Sequence, residues 1–414
     1  MNLPVYIARK YFFSRNISNV IHIISLISIL GIFFGSAALI IILSAFNGFE
    51  TVVGKLYASF DSDLKISPVS GKYFTPDSVK MQKLAALANI KAITPVIEEN
   101  ALFRYRSNQC IGTIKAINPD YIHSTGVDSM TVTGSDVLYE DSINYAVIGG
   151  GISYKLNMHG YDEIHPIQVY VPRKGVEIST LNPENSLSEK DIVGGGIFSI
   201  QQDFDQKYVL MPIGFARDLL NEPKAVTSIE INLKDKEKVA DIQSKVMAIM
   251  GNNFTVLDRF QQHPSLYKVM HVEKAAVYLV MSLILLIATF NLIGSLLMLA
   301  LEKEKDMAIL LGMGARPNTI KSIITFEGLL LSVSGGSLGI IIGGIICWLQ
   351  LKYGFVTLGG ADSTFVVTAY PVAFNHWDFL VVFITVLVLG FLASWYPARM
   401  ANKKIGVGVL SSRE

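Results

Sequence analysis

Charge is scarce in this chain. Asp, Glu, Lys and Arg make up 17% of its 414 residues, the formal net charge is +1 and the mean hydropathy is +0.42. A surface facing only water needs more charge than that. Long basic runs are missing too, which argues against a nucleic-acid binder. There are two cysteines, Cys110 outside and Cys347 inside an apolar run, so no structural disulfide is expected. No G-x-x-x-x-G-K-[ST] loop occurs, which excludes nucleotide hydrolysis by that route. H-E-x-x-H and C-x-x-C are also absent. The seven histidines are scattered. The nearest group, His123, His159 and His165, is divided by turn-like segments and reads as surface loop, not metal site. Gly335-Gly336-Ser337-Leu338-Gly339 has the letters of a nucleophile elbow but lies in an apolar run with no strand before it, so it reads as helix packing. No catalytic residue, metal site or cofactor is expected, and the chain reads as a non-enzyme.

Four long stretches lack all four charged residue types: 16–49, 275–301, 328–351 and 379–398. Each is long enough, at about 1.5 Å per residue, to cross a hydrocarbon core of roughly 30 Å as a helix. The first is too long for the apolar core of a cleaved secretory signal and is expected to be retained. Basic residues cluster in 1–15 (Arg9, Lys10, Arg15), 302–327 (Lys303, Lys305, Arg316, Lys321) and 399–414 (Arg399, Lys403, Lys404, Arg413), whereas 352–378 has Lys352 alone. That bias places both termini and the 302–327 connection in the cytoplasm.

Residues 50–274 then lie on the far side, with 23 Lys plus Arg against 27 Asp plus Glu, an ordinary soluble balance. β-like runs at 63–68, 91–97, 110–117, 167–172, 207–212 and 228–233 mix with helical runs, the clearest at 76–88, entered through Thr75 and Pro76, and 235–250, closed by Gly251. This is an α+β domain. Gly149-Gly150-Gly151 reads as a tight turn, with an anion cradle as the alternative. The flanking segments 46–60 and 266–274 carry helical patterns and read as a paired stalk in preference to plain linkers.

Within the spans, Gly335, Gly339 and Gly343 share one helix face, as do Gly31 and Gly35. Small residues at this spacing let backbones approach closely in lipid, either inside the chain or against a second subunit. No span holds an acid or base, so ion-coupled transport has nothing to run on. Between the second and third spans, Glu302-Lys303-Glu304-Lys305-Asp306 leads into an apolar stripe of Met307, Leu310 and Leu311, with Gly312 and Gly314 as helix enders and Pro317 opening the next helix. This short amphipathic helix reads equally as lying on lipid headgroups or as a knob for a soluble partner.

Residues 24–31, 44–50, 302–315 and 396–401 resemble the LolC and LolE permeases of the lipoprotein-releasing ABC transporter, within the wider FtsX/MacB class. Asp63-Leu64-Lys65-Ile66-Ser67-Pro68 resembles the entry strand of a MacB-like periplasmic core, and Val147-Ile148-Gly149-Gly150-Gly151 with Lys155-Leu156 resembles its central strand and helix. The implied fold is a membrane protein with four transmembrane α-helices and a large α+β extracytoplasmic domain between helices 1 and 2. Its expected segments are 1–49 (N-terminus and first span), 50–274 (periplasmic domain with stalks), 275–301, 302–327 (coupling helix), 328–351, 352–378, 379–398 and 399–414, in the cell inner membrane.

The resemblance implies a permease paired with a second copy or paralogue, driven by a separate LolD-like ABC ATPase homodimer that binds ATP and Mg. Its coupling helix would be Lys305, Met307, Ile309, Leu310, Leu311, Gly312, Met313 and Gly314. Lipoprotein substrates would enter a membrane-lipid-facing cavity lined by Leu39, Ile40, Leu43 and Phe46; packing against the second or fourth span is the alternative reading of that face. They would pass to a LolA-like periplasmic chaperone held by a hook in 173–190, including Arg173, Lys174, Asn185, Ser186 and Lys190, which otherwise reads as a solvated loop. The alternatives are an FtsX-like signalling permease that activates a cell-wall hydrolase and a MacB-like drug or peptide expulsion permease.

Overall fold

The computed structural model describes residues 3–12, 19–159, 162–173, 186–235, 238–357 and 369–411. They form two compact units, one of residues 1–52 with 268–414 and one of 53–267. The chain begins with α1 (Leu3–Phe12) and α2 (Asn19–Ala58), and the boundary between units falls inside α2.

In the second unit the chain runs through β1 (Leu64–Pro68), α3 (Ser78–Ala85), β2 (Ile90–Tyr105), β3 (Asn108–Ile117), α4 (Asp120–Thr125), β4 (Thr131–Gly134), β5 (Tyr139–Glu140), β6 (Ile143–Gly149) and α5 (Gly150–Leu156). It continues with β7 (Asp162–Pro172), β8 (Leu187–Phe198), α6 (Gln202–Asp205), β9 (Tyr208–Pro212), α7 (Ile213–Leu220), β10 (Ser228–Leu233), α8 (Val239–Met250), β11 (Phe254–Asp258) and α9 (Arg259–Gln262). The strands join in one mostly antiparallel sheet of order β11-β1-β10-β2-β3-β9-β6-β8-β4, with β3–β9 and β6–β8 parallel. Each β-like run of the sequence lies on one of these strands. Apolar residues alternating along the strands, such as Ile97, Ala101, Phe103 and Tyr105 on β2, bury one face against α3, α5, α7 and α8.

Local chemistry sets the helix ends. α3 starts from Asp77, whose carboxylate accepts from Val79 N, and not from Thr75 and Pro76, because an Asp carboxylate caps a helix better than a Thr hydroxyl. Gly251, at φ 78°, closes α8. The triple glycine is not a turn: strand passes straight into helix there, and a Cβ at Gly151 would meet Gln206. Glycine is needed for that close approach.

The first unit adds α10 (Pro264–Glu302), α11 (Glu304–Gly312), α12 (Pro317–Tyr353) and α13 (His376–Ser411), α10 starting just before the boundary at 267/268. Among the described residues four helices are long and apolar enough to cross a membrane: 23–58, 264–302, 317–353 and 376–400. They interlock through small residues. A Cβ at Gly335 or Gly343 would meet Ile29 O at 2.7 Å or Ala37 O at 2.9 Å, and one at Gly339 would run into Ser36 and Phe33, all on α2. Gly31 and Gly35 in turn face Ala288 and Leu285 on α10. Both glycine faces therefore pack within the chain.

Candidate functional site

Four places in the structure concern the expected function, each lying inside one unit. The first is α11. Met307 is fully buried among Ala300, Ile320, Ile324 and Ala398, with Leu311 packed against them. The stripe of Met307, Leu310 and Leu311 is thus the inner face, since an amphipathic helix lays its apolar side on the nearest apolar surface, here the ends of three spans. This corrects Met307 as a docking residue. Lys305, Ile309, Gly312 and Met313 are exposed instead, Ile309 at 61% and Met313 at 72%. Gly314, at φ 94°, ends the helix with Gly314 N on Leu311 O and Ala315 N on Leu310 O, both at 3.0 Å, while Gly312 stays helical.

The second is the first span. Leu39, Ile40 and Leu43 are buried with Val382 and packed on by Tyr278, Met281, Ile340 and Phe379 of the other spans. They are core and cannot line a lipid cavity, a correction to the expected face; Phe46 is half-buried. The open side of α2 is a different stripe: Ile27, Leu30, Phe34 and Phe49 are exposed, and Ala38, Ile41 and Ala45 between them are half-buried.

The third is the β7–β8 hairpin. The ladder closes at Pro172 opposite Leu187, and Arg173 N donates to Ser186 O at 2.8 Å. The second strand therefore starts at Leu187, not at 196, so Lys190 is no loop residue. It pairs with Val169, and its Nζ lies 3.0 Å from Asp218 and over the Phe215 ring. Lys174 and Asn185 lie outside the described residues, as does all of 174–185.

The fourth is the junction of the second unit, which the sequence reading did not find. Phe60 O, just beyond α2, accepts from Tyr121 Oη at 2.8 Å and Lys115 Nζ at 3.3 Å. Both donors also reach Glu230, at 2.5 and 3.2 Å, and Lys115 and Glu230 are 1% and 2% exposed. Burial and Glu230 push the Tyr121 hydroxyl well above its usual value, so it stays a donor. Beside it, Asp61 pairs with His263 at 2.7 Å and Asp63 with Arg259 at 2.9 Å, while Arg259 and Gln262 donate to Asp61 O and Ser62 O. The segment that follows α2 is thus laced to the segment that precedes α10. The available signal was a lone charge inside each of two apolar strand runs, Ile114-Lys115-Ala116 and Ile229-Glu230-Ile231, of opposite sign.

A polar cluster also joins the spans. Asn47 Nδ2 donates to Asp378 at 2.7 Å, and Lys274 Nζ reaches Asn47 Oδ1 at 2.7 Å and Asp378 at 3.1 Å. A side chain at Gly48 would collide with Pro371 and Val372. This gives the Asn47-Gly48 pair a structural role. Glu327 lies in α12, 3% exposed, so that helix does carry an acid; the uncharged stretch beginning at 328 had set the span one residue too short to include it.

Comparison with known proteins bears out the class. The family model described as MacB-like periplasmic core domain matches residues 25–249, and that described as FtsX-like permease C-terminal matches 278–404. The chain belongs to the FtsX/MacB class of permeases, and within that class its likeness runs to the LolC/LolE family over the full length. It is 24% identical to the lipoprotein-releasing system transmembrane protein LolE of Haemophilus influenzae, covering 100% of both chains. It is 26% identical to LolC of Buchnera aphidicola subsp. Schizaphis graminum, covering 99% of this chain and 100% of the relative. Among solved structures, the periplasmic region of MacB from Actinobacillus actinomycetemcomitans aligns at TM-score 0.36 and 11% identity, over 53% of this chain and 98% of that one. The protein is a multi-pass inner-membrane permease with a periplasmic α+β domain.

Proposed function

We propose that the chain is a permease subunit that moves lipoproteins out of the outer leaflet of the inner membrane and passes them to a periplasmic chaperone, with a separate ATPase supplying the energy. The observation that carries this reading is likeness to lipoprotein-releasing permeases across the whole chain, both units included. The geometry supports particular residues for each role. Exposed Ile309 and Met313, with Lys305 beside them, offer the ATPase an apolar contact with a charged rim. The Ile27, Leu30, Phe34, Ala38, Ile41, Ala45 and Phe49 stripe of α2 offers acyl chains and a second permease an apolar face. Acyl chains held there by about 25 cal/mol per Å² of burial need mechanical expulsion. The β7–β8 hairpin, with Arg173 N on Ser186 O at its described end, supports the chaperone hook of this reading. The laced junction after Phe60 ties the chain segments that adjoin α2 and α10 to the sheet, and this reading assigns the mechanotransmission step to it.

The test is photo-crosslinking from the cavity stripe. A photoreactive residue at Ile41 or Phe49 captures a triacylated lipoprotein, and ATP with chaperone lowers the yield. The same probe at Leu43 captures only protein from its own chain. Lipoprotein capture at Leu43 and none at Ile41 or Phe49 would overturn the assignment of the face. Correct lipoprotein sorting after depletion of the chain would overturn the function.

A further inference from the structure

An apolar groove of about 330 Å³ opens on the outside of the bundle between the end of α12 and the start of α13. Ile340, Ile341, Gly344, Ile345 and Trp348 line one wall, and Phe374 and Phe379 the other. The groove is built, not incidental. Gln350 fixes the connection above it, donating to Val356 O at 2.8 Å and Tyr370 O at 3.2 Å and accepting from Val356 N at 2.9 Å. The rings of Phe374 and Phe379 lie 6.0 Å apart. Gly344 leaves the floor open, since a Cβ there would already touch Phe379 at 3.3 Å.

At this depth in a bilayer the medium beside the groove is hydrocarbon, so an acyl chain fills it. What sits at its mouth decides whose chain it is. Residues 341, 345, 348 and 352 follow one stripe of α12 at steps of four, three and four, and the stripe ends in Lys352. The Lys352 ammonium lies 5.2 Å from the Trp348 ring centroid and 5.3 Å from that of Tyr353. Trp348, Tyr353, Phe355 and Trp377 are all exposed around it, the composition of a headgroup-level aromatic belt. Among the described residues Lys352 has no acidic partner. An apolar slot capped by one outward-facing cation at headgroup depth matches a lipid with an anionic phosphate head.

We propose that this groove is a binding site for one anionic phospholipid of the surrounding membrane, its acyl chain against Gly344 and Trp348 and its phosphate on Lys352. The site lies apart from the α2 stripe and does not depend on the substrate assigned there.

Trp348 is the natural reporter. The full chain with Trp377→Phe and Trp395→Phe keeps Trp348 as its only tryptophan. In nanodiscs, brominated-chain phosphatidylglycerol is expected to outcompete brominated phosphatidylcholine as a quencher of Trp348 by about five-fold, the worth of one lysine near an anionic headgroup. Lys352→Gln brings the two lipids to parity, and Gly344→Leu reduces quenching by both. Parity in the unaltered groove, or a preference that survives Lys352→Gln, overturns the headgroup assignment. No quenching by either lipid overturns the acyl-chain assignment. Relief of quenching by a triacylated lipopeptide but not by unlabelled phosphatidylglycerol gives the groove to substrate and also overturns the proposal.

Discussion

The two units of this chain solve opposite packing problems. In the periplasmic unit, large apolar side chains from a sheet and its covering helices pack into a core, and water supplies the drive. In the membrane unit, lipid tails are as apolar as leucine, so helices gain by bringing backbones close. Gly335, Gly339 and Gly343 against α2, and Gly31 and Gly35 against α10, do this. Charge is also handled differently. The membrane unit holds the Lys274, Asn47 and Asp378 cluster where segments leave the spans, while the periplasmic unit buries Lys115 and Glu230 outright in the middle of its sheet. A buried pair can be tolerated there because each ion has a further hydrogen-bond partner, Tyr121 Oη for Glu230 and Phe60 O for Lys115, as well as the opposite charge.

The sharpest way to break the comparison is to remove half of that pair. Glu230→Gln leaves Lys115 buried without the carboxylate it touches and is expected to cost about 3–5 kcal/mol. The periplasmic unit should then become protease-sensitive at a much lower temperature, with the membrane unit still inserted. Lys115→Met with Glu230→Leu should recover much of the loss, because two apolar groups replace two compensated ions. A double variant as labile as the single one would show that the network does more than balance its own charge.

A smaller effect, on the membrane side, separates close packing from mere apolarity. Gly339→Leu drives a side chain into Ser36 and the α2 backbone and is expected to cost about 1–3 kcal/mol, read as a lower melting temperature in detergent. Gly294→Leu lies in an equally apolar helix with nothing within 4 Å of its Cβ and should be neutral or slightly stabilising. Equal losses at the two positions would mean that the glycine faces are not what holds the spans together.

The same contrast explains which features were legible in the sequence. Charge-free stretches announced the spans because bilayer thickness sets their length, and the apolar, β-branched character of 110–117 and 228–233 announced strands, which are buried on both faces along most of their length. The helix around Met307 was legible as amphipathic, yet its apolar stripe had two surfaces to choose from, and the ends of its own spans took it. The spacing of Leu39, Ile40 and Leu43 showed a face without showing what covers it, and three neighbouring helices do. The start of β8 was hidden because Ser188, Glu189 and Lys190 are polar, as expected of a ladder with one solvated face. The junction was least visible of all. Asp61, Asp63, Arg259 and His263 are some two hundred residues apart in sequence, and only the sheet, through β1 beside β11, brings them together.

The smallest expected effect tests whether charge pairs at the rim of the buried network matter at all. Lys65 meets Glu98 at 2.9 Å, each 23% exposed. Burial raises the pKa of Glu98, but Lys65 and Lys115 outweigh it and hold the carboxyl below its ordinary value. A carboxyl held low in the folded state stabilises fully above its unfolded pKa, near 4.3, and that contribution disappears as pH falls through the folded value. Glu98→Gln should therefore melt slightly below the unaltered protein at pH 7, by an amount discounted for solvent screening to about 1 kcal/mol or less. The gap should stay constant from pH 8 to about 5 and close in acid, below the ordinary carboxylate range. Melting curves of the two proteins that remain parallel down to acid unfolding would show that Lys65 and Glu98 touch without stabilising. Any contribution of charge pairs to the sheet would then rest on Lys115 and Glu230, where burial is nearly complete and salt screens little.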